Sequence, residues 1–320
     1  MKNKSLNRKG PTRLDFLAIC EGRYCVVEIW QPMRHFIFVS IISLFLTGCI
    51  HIKVDEDRIF APREKHPDSP ATGMRIRYEE SLTNKYIDVD HFTLPTQFGD
   101  VAMTYASDTG SEDRPLFLMC MGAQAERYRS GLIYILRALR LGDVLIFDYP
   151  GYNDSDGEPS VADFQIAATR VSSYLQRQAL KKDRKIVLWG HSLGGFVCSD
   201  IARQNPNVDA IILEATAQNI KDVVDARTPK FIKPFIRADI NRSLQNYDVA
   251  KSLESFAGPI LVLGAGQDKV LDVKLSRALA AQLEKQGADV TYIEYPTAKH
   301  TNIPYRPSLI PAIDAQILKN

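Results

Sequence analysis

A chain of 320 residues, 45% hydrophobic and 24% charged, has ample apolar material for a folded core, which excludes wholesale disorder. Its formal net charge is +2, but residues 1–48 hold seven bases against three acids, leaving 33 bases and 35 acids for residues 49–320. The mild basicity belongs to the N-terminus, and nothing in the charge points to a nucleic-acid partner.

Residues 1–32 carry Asp15, Glu21 and Glu28 and fit poorly as a leader, so they are expected to be an upstream extension, with Met33 as the true start. Cys20 and Cys25 lie there without partner cysteines or a nearby ligand histidine, so they make no metal or redox motif. After Met33-Arg34-His35, residues 36–46 form an eleven-residue stretch with nine apolar residues. That is short for a transmembrane helix and suits the apolar region of a signal peptide. It ends in Leu46-Thr47-Gly48-Cys49, which resembles the lipobox of bacterial lipoproteins. The small residues at 47 and 48 would leave room for a peptidase at the cleaved bond. The resemblance implies that 33–48 is a lipoprotein signal peptide and that a lipidated Cys49 holds the chain on a membrane. The competing reading is a buried or spanning helix with an incidental cysteine. Residue 50 is Ile rather than Asp, which by resemblance to enteric bacteria implies the outer membrane, facing the periplasm, over the inner one.

Residues 49–84 are charged and hold Pro62, Pro67 and Pro70, so a tether is expected. From residue 85 strand-like and helix-like segments alternate. The expected strands are 87–94, 101–106, 116–121, 144–149, 186–189, 210–213, 260–263 and 290–295. Amphipathic stretches at 128–141, 161–180, 193–204 and 273–286 read as helices, the last stopped by Gly287. The last six strands include near-continuous apolar runs, as expected of strands buried on both faces of a parallel sheet. The fold class is therefore α/β, with chemistry expected at the C-terminal ends of the strands. Cys120 and Cys198 fall in an apolar strand and a helix, where buried free thiols are expected; two cysteines alone do not argue a disulfide.

The sequence Ile186-Val-Leu-Trp189 runs into Gly190-His191-Ser192-Leu193-Gly194-Gly195 and then a helix. This is a nucleophile elbow, a strand–helix turn so tight that Gly190 and Gly194 must lack Cβ atoms while the Ser192 hydroxyl stands clear of the sheet. A serine needs a base, and the base needs an orienting acid. In this arrangement the chain order is Ser, acid, His, and His300 is the only histidine after Ser192. Asp268, in Gly264-Ala-Gly-Gln-Asp268 after an apolar strand, is the expected acid. Glu214, at the end of 210–213, is its rival, and Asp272 is expected to cap the helix at 273 instead. His191 is expected to pack. The oxyanion donors are expected to be the N–H groups of Leu193 and, from the loop after the third strand, Ala123, with Met121 as the alternative.

The segment Asp148-Tyr-Pro-Gly-Tyr-Asn-Asp-Ser-Asp-Gly-Glu-Pro-Ser160 resembles the Asp-Tyr-Arg-Gly-Tyr-Gly-x-Ser-x-Gly-x-Pro-Ser segment of serine-aminopeptidase-like α/β-hydrolases. That branch includes hydrolases that remove fatty acyl groups from proteins. The resemblance covers roughly 85–320 and implies an α/β-hydrolase domain: a mostly parallel eight-stranded sheet flanked by helices, with a short cap at about 216–250. Pro150, Asn153 and Met121 depart from the pattern, at Arg, Gly and His respectively. All three surround the pocket, so they bear on substrate class. Asp148 is expected to be structural. In the cap, residues 216–245 hold six bases and three acids. A solvated helix face is the plain reading, with an anionic substrate or a phospholipid surface as the alternative.

The expected function is a serine hydrolase acting on carboxylic ester or thioester (acyl) substrates through an acyl-enzyme. A serine peptidase and a non-catalytic envelope lipoprotein are the alternatives. No metal or organic cofactor is implied; the expected partners are a small or acylated substrate and a membrane.

Overall fold

The computed structural model describes residues 50–62, 87–108 and 114–319. The 33–48 segment, Cys49 and residues 63–84 lie outside the described residues. Among the described residues no helix is long and apolar enough to cross a membrane.

The described residues form ten strands: β1 (Ile50–Val54), β2 (Ile87–Thr96), β3 (Gly99–Asp108), β4 (Leu116–Cys120), β5 (Asp143–Phe147), β6 (Ile186–His191), β7 (Ala210–Glu214), β8 (Ile236–Ile240), β9 (Ile260–Ala265) and β10 (Val290–Tyr295). Eight of them form one sheet in the order β10-β9-β7-β6-β4-β5-β3-β2. β2 and β3 are an antiparallel pair, β3 meets β5 antiparallel, and the other neighbours run parallel. All eight coincide with the expected strands to within a few residues; β4, β5, β6, β7 and β9 are apolar runs buried on both faces, while β2 alternates and stays largely half-exposed.

Alternation along β4 shows how both faces are filled. Leu116, Leu118 and Cys120 pack into one core with α3 (Val161–Lys182) and α4 (Leu193–Gln204). Phe117 and Met119 pack into the other with α2 (Gly131–Ala138) and the C-terminal residues Leu309, Ile313 and Ile317. α3 starts at a true cap, with Ser160 Oγ accepting the Asp163 N–H at 3.2 Å. The helix Val273–Lys285 is capped by Asp272, whose Oδ1 accepts the Lys274 N–H at 3.0 Å. Asp272 thus does the work expected of it.

Three expectations are corrected. Cys120 and Cys198 are not free thiols; they form a disulfide across a Cα–Cα distance of 6.0 Å, joining the end of β4 to α4. The cap was expected to lack strands. Besides α5 (Ile220–Arg227) and a short helix at 242–245, it holds β8, which pairs in parallel with β1. Residues 50–60 therefore do not behave as a tether. α1 (Glu56–Phe60) carries Phe60 into a fully buried site against Phe164 and Tyr247, at ring distances of 4.4 and 5.8 Å. Tyr152 donates its hydroxyl to the Phe60 carbonyl, Ser243 donates to Glu56 Oε1, and Glu56 Oε2 accepts the Val161 N–H at 2.9 Å. One buried phenylalanine contributes about 2–3 kcal/mol, enough to hold a short charged segment on the domain.

The disulfide closes a loop of 78 residues that contains β5, α3 and β6. Replacing both cysteines by alanine is expected to lower the unfolding free energy by about 2–5 kcal/mol. Denaturant unfolding with and without dithiothreitol checks this: reductant should destabilise the wild type and leave the double variant unchanged.

Candidate active site

The turn from β6 to α4 is built on close backbone approach. A Cβ on Gly190 would lie 2.5 Å from the Gly194 carbonyl oxygen, and one on Gly194 would lie 1.8 Å from the Cys120 carbonyl oxygen. Ser192 sits between them at φ 55° and ψ −118°, a region that side chains rarely adopt. Three hydrogen bonds hold it there. Its N–H donates to the Glu214 carbonyl at 2.9 Å, and its carbonyl accepts from Gly195 N–H at 3.0 Å and Thr216 Oγ1 at 2.8 Å.

β9 and β10 deliver the partners at the same edge of the sheet. His300 Nδ1–H donates to Asp268 Oδ2 at 2.7 Å, and Ser192 Oγ stands 3.0 Å from His300 Nε2. The other Asp268 oxygen accepts the N–H groups of Val270 (2.7 Å) and Leu271 (2.9 Å). Burial works against the charge on Asp268, but the His300 hydrogen bond and charge and the two backbone donors outweigh it, and its pKa is held below the ordinary value. Gln267 N–H also donates to the Ala298 carbonyl at 2.7 Å, tying the acid loop to the histidine loop.

Glu214 is not brought to His300. It is wholly buried, accepting from Tyr134 Oη and Trp189 Nε1 at 2.9 Å each, and burial raises its pKa to about 7. Its side chain braces the core below the elbow, while its backbone carbonyl holds the Ser192 N–H.

His191 does more than pack. Its Nε2–H donates to the His300 carbonyl at 2.9 Å, and the two rings lie 4.9 Å apart. It therefore fixes the backbone of the residue that reaches Ser192. Its counterpart across the turn is Gly122, where a Cβ would lie 3.0 Å from His191 Nδ1 and 3.3 Å from Ser192 Cβ. Tyr149 Oη donates to the Met121 carbonyl, so the resembling segment at 148–160 supports this same loop. Asp148 is structural, as expected, but its partner was not foreseen. Arg127, 3% exposed, donates from Nε to Asp148 Oδ2 at 3.0 Å and from Nη1 to Thr104 at 2.9 Å. Asn153, at φ 42°, fills a motif position usually held by Gly and adds a 2.9 Å bond from its amide to Asp148. Asparagine tolerates that backbone, so the departure keeps the turn.

A cavity of about 690 Å³ opens over Ser192. Met121, Gly122, Ala123 and Leu193 line it beside the serine and His300, and Ile133, Tyr134, Ile220 and Val223 give it apolar walls. Arg58, Arg129 and Arg227 also reach it. Arg58 comes from α1, so the N-terminal segment forms part of the wall. The volume suits one medium-sized organic substrate. Among the described residues no cluster of His, Cys, Asp or Glu could hold a metal ion.

Comparison with known proteins agrees with this architecture. Residues 135–247 match the family described as alpha/beta hydrolase fold. An alpha/beta hydrolase domain-containing protein of Arabidopsis thaliana is 30% identical over 49% of this chain and 54% of its own length. A lysophosphatidylserine lipase of Rattus norvegicus is 27% identical over 54% of this chain and 46% of its own. The chain thus spans about half the length of these relatives. Among solved structures, an esterase of Pyrococcus furiosus superposes with a TM-score of 0.57 at 15% identity, covering 75% of this chain and 92% of the esterase. The chain has the α/β-hydrolase fold, and these matches agree with it.

Burial, with the charge of His300 adding to it, lowers the pKa of His191 to about 3. An unfolded histidine titrates near 6.5, so between pH 6.5 and 3 the unfolded chain binds a proton that the folded chain refuses, and stability falls with falling pH. Glu214, raised to about 7, has the opposite slope above the ordinary carboxyl range, so the His191 effect is clearest below about pH 4.5. Between pH 4.5 and 3.5 the wild type is expected to lose about 1.4 kcal/mol more stability than a His191→Phe variant. Urea unfolding at the two pH values measures it, and equal losses would mean that His191 is not held neutral in the fold.

Proposed function

We propose that the protein is a serine hydrolase that cleaves carboxylic ester or thioester bonds of acyl substrates through an acyl-enzyme. The observation that carries this reading is the relay Ser192–His300–Asp268, with contacts of 3.0 and 2.7 Å, at the floor of a largely apolar cavity. His300 takes the Ser192 proton as Oγ attacks the acyl carbonyl, and the resulting imidazolium is stabilised by Asp268. The N–H groups of Leu193 and Ala123 receive the oxyanion. His300 then returns the proton to the leaving group, and water, activated by the same histidine, releases the acid and restores Ser192. The apolar walls favour an acyl chain, and the name of the rat relative, a lysophosphatidylserine lipase, agrees with an acyl ester substrate.

A fluorophosphonate probe tests the nucleophile. Wild type should be labelled and Ser192→Ala should not; equal labelling would return the chain to a non-catalytic role. In a panel of esters and thioesters graded by acyl length, with aminopeptidase substrates alongside, Asp268→Asn should lower kcat by about 10⁴-fold. A comparable loss from Glu214→Gln alone would reassign the acid.

The proposed setting is the cell envelope, with Cys49 lipidated and the domain facing the periplasm from the outer membrane. The lipobox-like Leu46-Thr47-Gly48-Cys49 supports it, and so does the Cys120–Cys198 disulfide, since such bonds persist in oxidising compartments. Cys49→Ser should move the protein out of the membrane fraction, and unchanged fractionation would refute the anchor.

A further inference from the structure

One part of the cap takes no part in the relay or the cavity floor. Residues 227–237 read Arg-Thr-Pro-Lys-Phe-Ile-Lys-Pro-Phe-Ile-Arg, with four bases, two phenylalanines and no acid. Lys230, Phe231, Lys233, Phe235 and Arg237 are exposed, Phe231 at 78%. A ring left in water at that level forgoes most of the free energy its burial would supply. Rings interleaved with cations suit the layer of lipid headgroups: the rings enter the acyl boundary while the cations stay among the phosphates.

A separate observation says what lies against this corner. β1 pairs with β8 from Ile50 opposite Ile236 onward. Ile50 follows Cys49 by one residue, and Ile236 follows Phe235 by one. Ile50, bonded to Cys49, therefore stands beside the end of the Phe-Lys stretch. On the lipoprotein reading above, the lipid anchor and the exposed rings leave the protein at one corner.

We propose that residues 227–237, together with the start of β1, form a docking surface for an anionic phospholipid bilayer. The cavity mouth is continuous with this surface. Arg227 belongs both to the basic stretch and to the cavity wall, and its guanidinium donates to the Val270 carbonyl at the rim at 3.4 Å. The substrate class that follows, given the hydrolase reading, is an acyl ester resident in the bilayer, its carbonyl presented to Ser192 from the headgroup layer.

The test uses the full chain, purified with its N-terminal segment and reconstituted into phosphatidylglycerol–phosphatidylethanolamine vesicles containing brominated lipid. Phe231→Trp is compared with Leu180→Trp. Leu180 is 70% exposed near the end of α3, on the side where β6 begins and so away from Ser192. Emission from Phe231→Trp above the wild-type background should fall about twofold, as for a ring at the acyl boundary, with Leu180→Trp unchanged. Equal quenching of both, or of neither, overturns the docking surface. In the same vesicles, replacing Phe231 by Asp should cut turnover of a bilayer-resident long-chain ester about tenfold and spare a soluble short-chain ester. A parallel loss on both substrates overturns the link between docking and catalysis. If the wild type turns over neither ester, the hydrolase reading alone fails, because the quenching still decides the docking.

Discussion

Everything at the candidate site depends on the close approach of three stretches of backbone around Ser192. The carbonyl of Cys120 comes near enough to Gly194 that no other residue fits there, and Gly190 lies against Gly194 and Gly195 in the same way. That approach puts β4 and α4 in contact, sets Ser192 at a positive φ and brings Gly122 against the serine Cβ. The strain of such a backbone, on the order of 1–3 kcal/mol, is tolerated because the surroundings over-determine it. Here the surroundings are the hydrogen bonds that Ser192 gives to Glu214 and accepts from Gly195 and Thr216, and a disulfide one residue before Met121. The serine is poised by the scaffold rather than by its own preference.

The groups around the relay divide into those that hold charge and those kept neutral. Asp268, with two backbone donors and the His300 N–H, is arranged to stay ionised. Glu214 and His191, both buried within the sheet edge, are pushed by desolvation toward their neutral forms. A neutral His191 can bind the His300 carbonyl without placing a second positive charge beside the imidazolium that the proposed mechanism would form. Two carboxylates and two histidines lie close together, and burial and hydrogen bonding separate their roles.

Most of this was legible in the sequence for a specific reason. Strands buried on both faces write themselves as apolar runs, so β4, β5, β6, β7 and β9 could be read directly, and the glycines at 190 and 194 announce the elbow. Chain order then gives Ser192 and His300, while the choice of Asp268 over Glu214 needed the fold to bring Asp268 to His300. The sequence was less informative where the signal is shared between distant segments. β1 and β8 are short, half-exposed and meaningful only as a pair, and the charged, Pro-containing stretch around α1 hides a single buried ring. The Cys120–Cys198 bond needs the distance between β4 and α4, which two cysteines 78 residues apart do not reveal. Arg127 looks like any surface base until the fold brings Asp148 to it, and the hydrogen bond from His191 to the His300 backbone leaves no trace in the sequence.

The disulfide has a topological consequence as well as an energetic one. Because it joins the end of β4 to α4, every peptide bond of β5, α3, β6 and the elbow lies inside a covalent ring. A protease that cuts once anywhere in that ring, including the exposed turns near Asp154 and Asp156, cannot separate the pieces. Ser192 would remain linked to the strand that precedes Gly122, so the nicked chain would keep its two halves in register where an open chain would let them drift apart.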